Sequence, residues 1–251
     1  MLIPKKVNKI TAKKFFKDNK NLYKILLAYS DRTNYSPDFL DLYSLYQIIT
    51  LNKRTTILEF GSGCSTLVFA DALSKLKLRY NQQIKKIRRA NPFEIFYIEN
   101  EKKYFEYTEK NFKLLKYKIK CNPTYSPVVM TKFQGYFCTE YLKLPRCNPD
   151  FIYLDGPGQD EVLKNVNNFT ISKNIDMSPM SCDILKFEFF LIPGTIIVID
   201  GRGANALFLK KNLRRNWVYE YSTYYDQHYF HLKERPFGPI NKKQLNFYKK
   251  N

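Results

Sequence analysis

Short apolar runs alternate along this chain with longer segments whose apolar residues recur at helical spacing. Such runs are typical of strands buried on both faces of a sheet, and strands that alternate with helices pair in parallel. The runs occupy residues 56–58, 93–98, 117–121, 151–154 and 195–199. The helical segments occupy residues 65–78, 101–115, 180–191 and 204–213. The pattern therefore predicts an α/β protein with a parallel sheet.

Two further strand-like runs, residues 217–224 and 228–233, follow the last of these helices. A polar turn at Asp226 and Gln227 joins them, and runs separated by so short a turn form an antiparallel hairpin. They bring the number of predicted strands to seven. We therefore expect a mostly parallel seven-stranded sheet with a C-terminal antiparallel hairpin.

Residues 1–54 contain no strand-like run and are predicted to form an N-terminal helical extension, or cap, on a single domain that spans residues 55–251. Residues 10–28 are amphipathic, and packing on the core is the commoner use of such a face than contact with a membrane. Ser36 is predicted to cap a further helix, with Pro37 in its first position. Residues 79–92 are predicted to be a basic connection between a helix and a strand.

The composition is that of a folded soluble protein, and it adds one unusual feature, a net charge of +19. Hydrophobic residues make up 44% of the 251 residues, no apolar run is long enough to span a membrane, and the N-terminus lacks the apolar core of a signal peptide. A cytoplasmic location is therefore expected. A basic surface attracts nucleic acid, acidic lipid or acidic substrates, although a solvated surface shaped by codon usage explains it as well.

The five cysteines are scattered and contain no C-x-x-C pair. That spacing indicates reduced thiols and neither a disulfide framework nor a zinc site. The two histidines, His228 and His231, are three positions apart on a predicted strand and so point to opposite faces. They are not expected to serve one site together.

The first predicted strand leads into an acidic residue and a glycine turn, Glu59-Phe60-Gly61-Ser62-Gly63. Glycines let the backbone turn tightly beside a ligand, and the helix that follows offers free N–H groups. The third glycine of a dinucleotide fingerprint is missing, and no Lys-Ser/Thr pair completes a P-loop. The stretch therefore indicates a small-molecule site of another kind at the carboxyl end of the sheet.

Acidic residues stand at the ends of four predicted strands: Glu59, Glu99, Asp155 and Asp200. The carboxyl ends of parallel strands meet at one edge of a sheet, so the four carboxylates are expected to line one crevice. Helix capping explains one or two such residues in an ordinary parallel-sheet protein. Four acidic residues at the ends of neighbouring strands indicate a functional site.

This arrangement resembles the class I S-adenosylmethionine-dependent methyltransferases over most of residues 55–233. The resemblance implies a three-layer Rossmann-like sandwich and S-adenosylmethionine as cofactor. Gly61 and Gly63 match the glycines beside the amino-acid part of the cofactor, and Glu99 matches the acid that grips both ribose hydroxyls, a task that suits a carboxylate. The residues assigned to cofactor binding on this basis are Glu59, Gly61, Ser62, Gly63, Ser65, Thr66, Glu99, Asn100 and Asp155.

The residues assigned to catalysis are Asp155, Asp200 and Arg202. Asp155 is the candidate base or orienting group for a hydroxyl acceptor, and Arg202 either binds an acidic substrate group or pairs with an acid at the surface. Asp155 and Asp200 are also candidate magnesium ligands, but Gly201 stands where the metal-dependent catechol-type enzymes usually carry Asn. No metal ligand is therefore assigned.

The sequence departs from the family at two places. Ser65 replaces the third glycine of the turn, and the N-P-P-Y type motif of enzymes that methylate amino groups is absent after the fourth strand. The similar tetrapeptide that starts at Asn122 precedes that strand, so it is interpreted as a loop turn. Residues 123–144 as a whole are predicted to be irregular and aromatic, with a hairpin over the site.

The expected activity is O-methylation of a small-molecule or carbohydrate-type acceptor. An RNA methyltransferase, favoured by the charge, and a non-catalytic protein that retains the cofactor pocket remain as alternatives, with a nicotinamide oxidoreductase behind them. The loops that would contact the acceptor carry no recognisable code, and no feature indicates the oligomeric state.

Overall fold

Two sheets and eight helices make up the part of the chain that the structure, a computed structural model, describes: residues 1–29, 36–172, 174 and 176–249. The strands are β1 (Thr56–Phe60), β2 (Glu94–Glu99), β3 (Lys120–Tyr125), β4 (Val128–Phe133), β5 (Tyr136–Tyr141), β6 (Phe151–Leu154), β7 (Val162–Leu163), β8 (Ile196–Asp200), β9 (Trp217–Ser222) and β10 (Gln227–Leu232). The helices are α1 (Lys9–Lys17), α2 (Lys20–Leu27), α3 (Phe39–Leu51), α4 (Cys64–Ile84), α5 (Lys102–Leu115), α6 (Asp183–Phe187), α7 (Gly203–Asn212) and α8 (Gly238–Lys249).

The main sheet has seven strands in the order β3-β2-β1-β6-β8-β10-β9. The first five are parallel, whereas β10 pairs antiparallel with both β8 and β9. Strands β2 and β3 extend the sheet on one side of β1, whereas β6 and the strands that follow it extend the sheet on the other side. A crevice opens at such a switch point above the carboxyl ends of the strands, where α/β proteins bind ligands.

Alternate residues of the central strands enter two hydrophobic cores, one on each face of the sheet. Ile57, Phe151 and Ile196 pack with α2, α3, α4 and α8, whereas their neighbours Leu58 and Ile152 pack with α6, α7 and the small sheet. This alternation is the period of two that a strand imposes. Because a core covers each face of the sheet, the central strands consist of continuous runs of apolar residues.

The N-terminal helices complete the first of these cores. Phe16, Leu22 and Leu26 are buried against α3 and α4, so the amphipathic segment packs on the protein as expected. The segment forms two helices, because Asn19 caps α2 with its side chain. The cap of α3 is Asp38 and not Ser36 as expected: its carboxylate accepts hydrogen bonds from the N–H groups of the first helical turn.

Three further local interpretations of the sequence were wrong. Helix α4 continues to Ile84, beyond the expected end at residue 78, because Leu76, Tyr80 and Ile84 keep one buried stripe. The tetrapeptide that starts at Asn122 lies in β3, where the edge position tolerates Pro123. Of residues 180–191, only α6 and a short 3-10 turn are helical.

The small sheet has the order β5-β4-β7 and includes the expected hairpin. Neither β7 nor the C-terminal helix α8 was expected from the sequence. Within the described ranges, no helix combines the length and apolar character of a membrane span.

Candidate active site

A cleft of about 750 Å³ opens above the carboxyl ends of the parallel strands. Three of the four strand-end acids, Glu99, Asp155 and Asp200, line it together with the glycine turn after β1. The fourth, Glu59, is fully buried and does not line the cleft. The topology thus brings the predicted acids to one edge of the sheet, with Glu59 beneath the surface of the site.

The loops after β1 and β6 touch at two glycines. Gly61 adopts a φ of +100°, and a side chain on Gly156 would place its Cβ 2.9 Å from the Gly61 nitrogen and 2.7 Å from the Tyr141 hydroxyl. The N–H groups of Asp155 and Gly156 both donate to the Phe60 carbonyl, at 3.0 and 2.7 Å. This close approach holds Asp155 beside the glycine turn.

Glu59 holds the first turn of α4 in place. Its carboxylate accepts a hydrogen bond from the Ser65 hydroxyl and another, 2.6 Å long, from the Thr66 hydroxyl. The same Thr66 oxygen accepts the N–H of Gly63 at 3.1 Å. Burial raises the pKa of Glu59 to about 8. Ser65 lines the cleft and Thr66 does not, so Glu59 and Thr66 are placed to shape the turn from below.

Glu99 faces the cleft from the end of β2, with 4% of its surface exposed. One carboxylate oxygen, Oε1, accepts the N–H groups of Asn100 and Glu101, both at 2.8 Å, and the other accepts the Ser62 hydroxyl at 2.9 Å. Burial raises its pKa to about 7. The side-chain amide of Asn100 is buried outside the cleft and has no hydrogen-bond partner among the described residues.

Arg202 pairs with Asp155 and not with its neighbour in sequence, Asp200. Its guanidinium lies 3.6 Å from Oδ1 of Asp155 and donates to the Pro157 carbonyl at 2.9 Å. Burial raises the pKa of Asp155 to about 7, with Asp200 adding to the effect and Arg202 opposing it. The pKa of Asp200 is also raised, mainly by burial.

Several residues that the sequence analysis did not assign also line the cleft. Asp38 and Asp41 come from the start of α3, Tyr153 from β6, and Asp226 from the turn between β9 and β10. In the sequence, Asp38 and Asp41 have the spacing of an ordinary helix start, and Asp226 has the setting of an ordinary polar turn. Only the folded chain brings them to the same edge.

The charge of the cleft is opposite to that of the whole chain. Two of the described residues that line it, Lys103 and Arg202, are basic. Eight are acidic: Asp38, Asp41, Glu99, Glu101, Asp155, Asp160, Asp200 and Asp226. The basic side chains that give the chain its net charge of +19 therefore lie mostly elsewhere.

Neither histidine lines the cleft. His228 stacks on Tyr221, with ring centroids 4.4 Å apart, and its Nδ1 lies 2.9 Å from the Tyr219 hydroxyl. Within the described part of the chain, no three His, Cys, Asp or Glu side chains form a group that could hold a metal ion. The residues that line the cleft can bind a polar or cationic small molecule, and Asp155 can accept or release a proton.

The chain matches no protein-family model and no curated protein, but its fold is similar to that of solved methyltransferases. PaMTH1 from Podospora anserina, bound to S-adenosylhomocysteine (SAH), matches with a TM-score of 0.51 and 14% identity, over 93% of this chain and 100% of that one. An SAH-complexed O-methyltransferase from Bacillus cereus gives 0.48 and 11%, over 89% and 97%. TomG from Streptomyces achromogenes, an O-methyltransferase of tomaymycin synthesis complexed with S-adenosylmethionine, gives 0.46 and 12%, over 91% and 100%.

The likeness to PaMTH1 and the strand order together show the fold: a Rossmann-like sandwich of the class I methyltransferase type, with a mostly parallel seven-stranded sheet. The fold predicted from the sequence is confirmed.

Proposed function

We propose that this protein is an S-adenosylmethionine-dependent methyltransferase that methylates a hydroxyl group of a small-molecule or carbohydrate-type acceptor. The observation that carries the proposal is the placement of Glu99, the Gly61 turn and Asp155 around one cleft at the switch point of the sheet. Its volume of about 750 Å³ lies in the usual range for small-molecule sites.

The residues at this edge fit the cofactor. The Gly61 turn lets the backbone approach the amino-acid part, and Glu99 faces the position of the ribose. Oε1 of Glu99 already accepts two N–H groups, whereas Oε2 accepts one donor among the described residues, the Ser62 hydroxyl, and has capacity for another. A ribose hydroxyl at Oε2 would therefore join or replace Ser62.

Asp155 is proposed as the base. S-adenosylmethionine supplies the electrophilic methyl group when it is bound, and the protein has to align the acceptor oxygen and take up its proton. A carboxylate with a pKa of about 7 matches that task near neutral pH. Arg202, held on Asp155 and the Pro157 carbonyl, keeps the carboxylate in position.

The test is SAH binding followed by transfer of labelled methyl groups, with Glu99→Gln as the variant. Loss of the charged acceptor is expected to weaken SAH binding by about tenfold or more. Glu94→Gln is the matched control, because Glu94 lies at the opposite end of β2, outside the cleft. Equal SAH affinity of both variants and the wild type, or no SAH binding at millimolar concentration, would contradict the proposed function.

RNA methylation is less well supported, because an acidic cleft repels a phosphate backbone. A magnesium-dependent mechanism is less well supported, because no three His, Cys, Asp or Glu side chains of the described residues form a group that could hold the ion. Another alternative, a non-catalytic protein that binds the cofactor, predicts SAH binding without methyl transfer to any acceptor in a broad screen.

A further inference from the structure

Four carboxylates gather at one end of the cleft, and we call this group the acidic end. Asp38 and Asp41 enter from α3, Asp200 from β8, and Asp226 from the turn between β9 and β10. The acidic end lies beyond Asp155 as seen from Glu99, because β8 and β10 continue the sheet on the far side of β6. It is therefore on the side of the cleft that the proposed function leaves for the acceptor.

Among the described residues, no cation forms an ion pair with a carboxylate of the acidic end, and Arg202 is directed to Asp155. The donors that these carboxylates have are neutral: backbone N–H groups for Asp38 and Asp200, the Gln227 amide for Asp41, and the Tyr221 hydroxyl for Asp226. Neutral donors orient a carboxylate but leave its charge uncompensated.

A second observation points to a ligand at the same place. Tyr153 lines the cleft and is 98% buried, since only 2% of its surface is exposed. Among the described residues, no hydrogen bond satisfies its hydroxyl, and the charges of Asp41, Asp155 and Asp200 act on it. Because the Tyr153 side chain lines the cleft, its hydroxyl is open to a polar ligand group, which can supply the missing hydrogen-bond partner.

The carboxylates also repel one another. Burial, followed by the charge of Asp200, raises the pKa of Asp41 well above its usual range, and Asp226 and Asp38 act in the same direction on Asp200. A bound cation removes this repulsion, whereas a bound anion increases it. The site therefore discriminates between ligands by charge.

We propose that the acceptor carries an amine, whose ammonium group binds at the acidic end while the hydroxyl to be methylated faces Asp155. This inference rests on the proposed function. Tyr153 contributes a hydrogen bond to the acceptor between the two positions. A divalent cation is the competing occupant, but no three of the described carboxylates form a group that could hold one.

The test uses SAH-loaded protein and two matched series of compounds that differ in charge. One series is dopamine, 4-methylcatechol and 3,4-dihydroxyphenylacetate; the other is glucosamine, glucose and glucuronate. Binding is measured by calorimetry in EDTA and again with magnesium. In at least one series, the amine is expected to bind about tenfold or more tightly than its neutral analogue, without magnesium, and the acid most weakly.

Asp226→Asn is expected to abolish most of that preference while SAH binding is unchanged. The control is Glu220→Gln, which removes the same charge from an exposed position of the same hairpin. Equal binding within both series, tighter binding of an acid, a requirement for magnesium, or no binding at millimolar concentration would overturn the proposal. Failure of SAH itself to bind would instead refute the proposed function.

Discussion

Replacing Glu59 by Gln should make the stability of this protein less dependent on pH. Glu59 is fully buried and has a pKa of about 8, compared with an ordinary value of 4.5. Between these two values the unfolded chain has released the proton and the folded protein still holds it. The free energy of unfolding therefore falls as the pH rises through this window. Glutamine has no proton to lose, so the variant lacks this contribution.

The magnitude follows from the net pKa shift. Burial raises the pKa of Glu59, and the hydrogen bonds that Ser65 and Thr66 donate lower it, with a net value of about 8. Each pKa unit corresponds to about 1.4 kcal/mol, and about three units lie between pH 5 and this value. We therefore expect the wild type to lose roughly 4 kcal/mol more than the variant between pH 5 and pH 9.

Urea unfolding at several pH values within that window measures the difference directly. Other buried acids with raised pKa values, such as Glu99 and Asp183, are common to both proteins and cancel in the comparison. The control is again Glu94→Gln, whose curve should run parallel to that of the wild type. If the free energy of unfolding depends on pH in the same way for Glu59→Gln and the wild type, Glu59 is not a buried neutral acid and the reasoning is refuted.

Two further predictions concern the cleft. Asp155→Asn should lower kcat by about 10² to 10⁴-fold, and the wild-type kcat/KM should rise with pH through about 7 as the base loses its proton. A flat pH–rate profile would argue against this base. Gly156→Ala should destabilise the protein by about 1 to 3 kcal/mol, because its Cβ would lie 2.7 Å from the Tyr141 hydroxyl. Thermal unfolding compares this variant with Gly203→Ala, where no atom of the described residues, apart from the adjoining backbone, lies within 4 Å of the new methyl group. Equal stability of the two variants would refute the prediction.

The sheet and the strand-end acids could be predicted because they depend on local signals. A continuous apolar run identifies a strand, and a parallel topology places the ends of all such strands on one edge, so Glu99, Asp155 and Asp200 could be assigned to one cleft before the fold was known. The same reasoning placed Glu59 there, but it could not distinguish an acid that faces the cleft from one that supports it. That difference depends on the hydroxyls of Ser65 and Thr66, which hold the Glu59 carboxylate away from the cleft.

The features of the fold and the site that could not be predicted depend on contacts between residues that are far apart in the sequence. A proline would break a central strand, but Pro123 is tolerated in β3 because β3 lies at the edge of the sheet. The local sequence does not indicate which strand will lie at the edge. Asp38 and Asp226 are separated by most of the chain, and each has an ordinary local role, as a helix cap and as a turn residue. Only the packing of α3 beside the β9–β10 hairpin brings them to one cleft.

The net charge of +19 is an average that conceals two regions of opposite sign. Eight acidic residues line a single cleft, so the rest of the surface is more basic than the average indicates. A sulfonium cofactor and an amine acceptor are both cationic, and they would meet a favourable potential at the cleft although the protein as a whole repels them. The acidic substrates that the net charge favours would meet the reverse: attraction to the surface and repulsion at the site. The sign of the potential at the cleft, and not that of the whole chain, should therefore decide which acceptors the proposed enzyme binds.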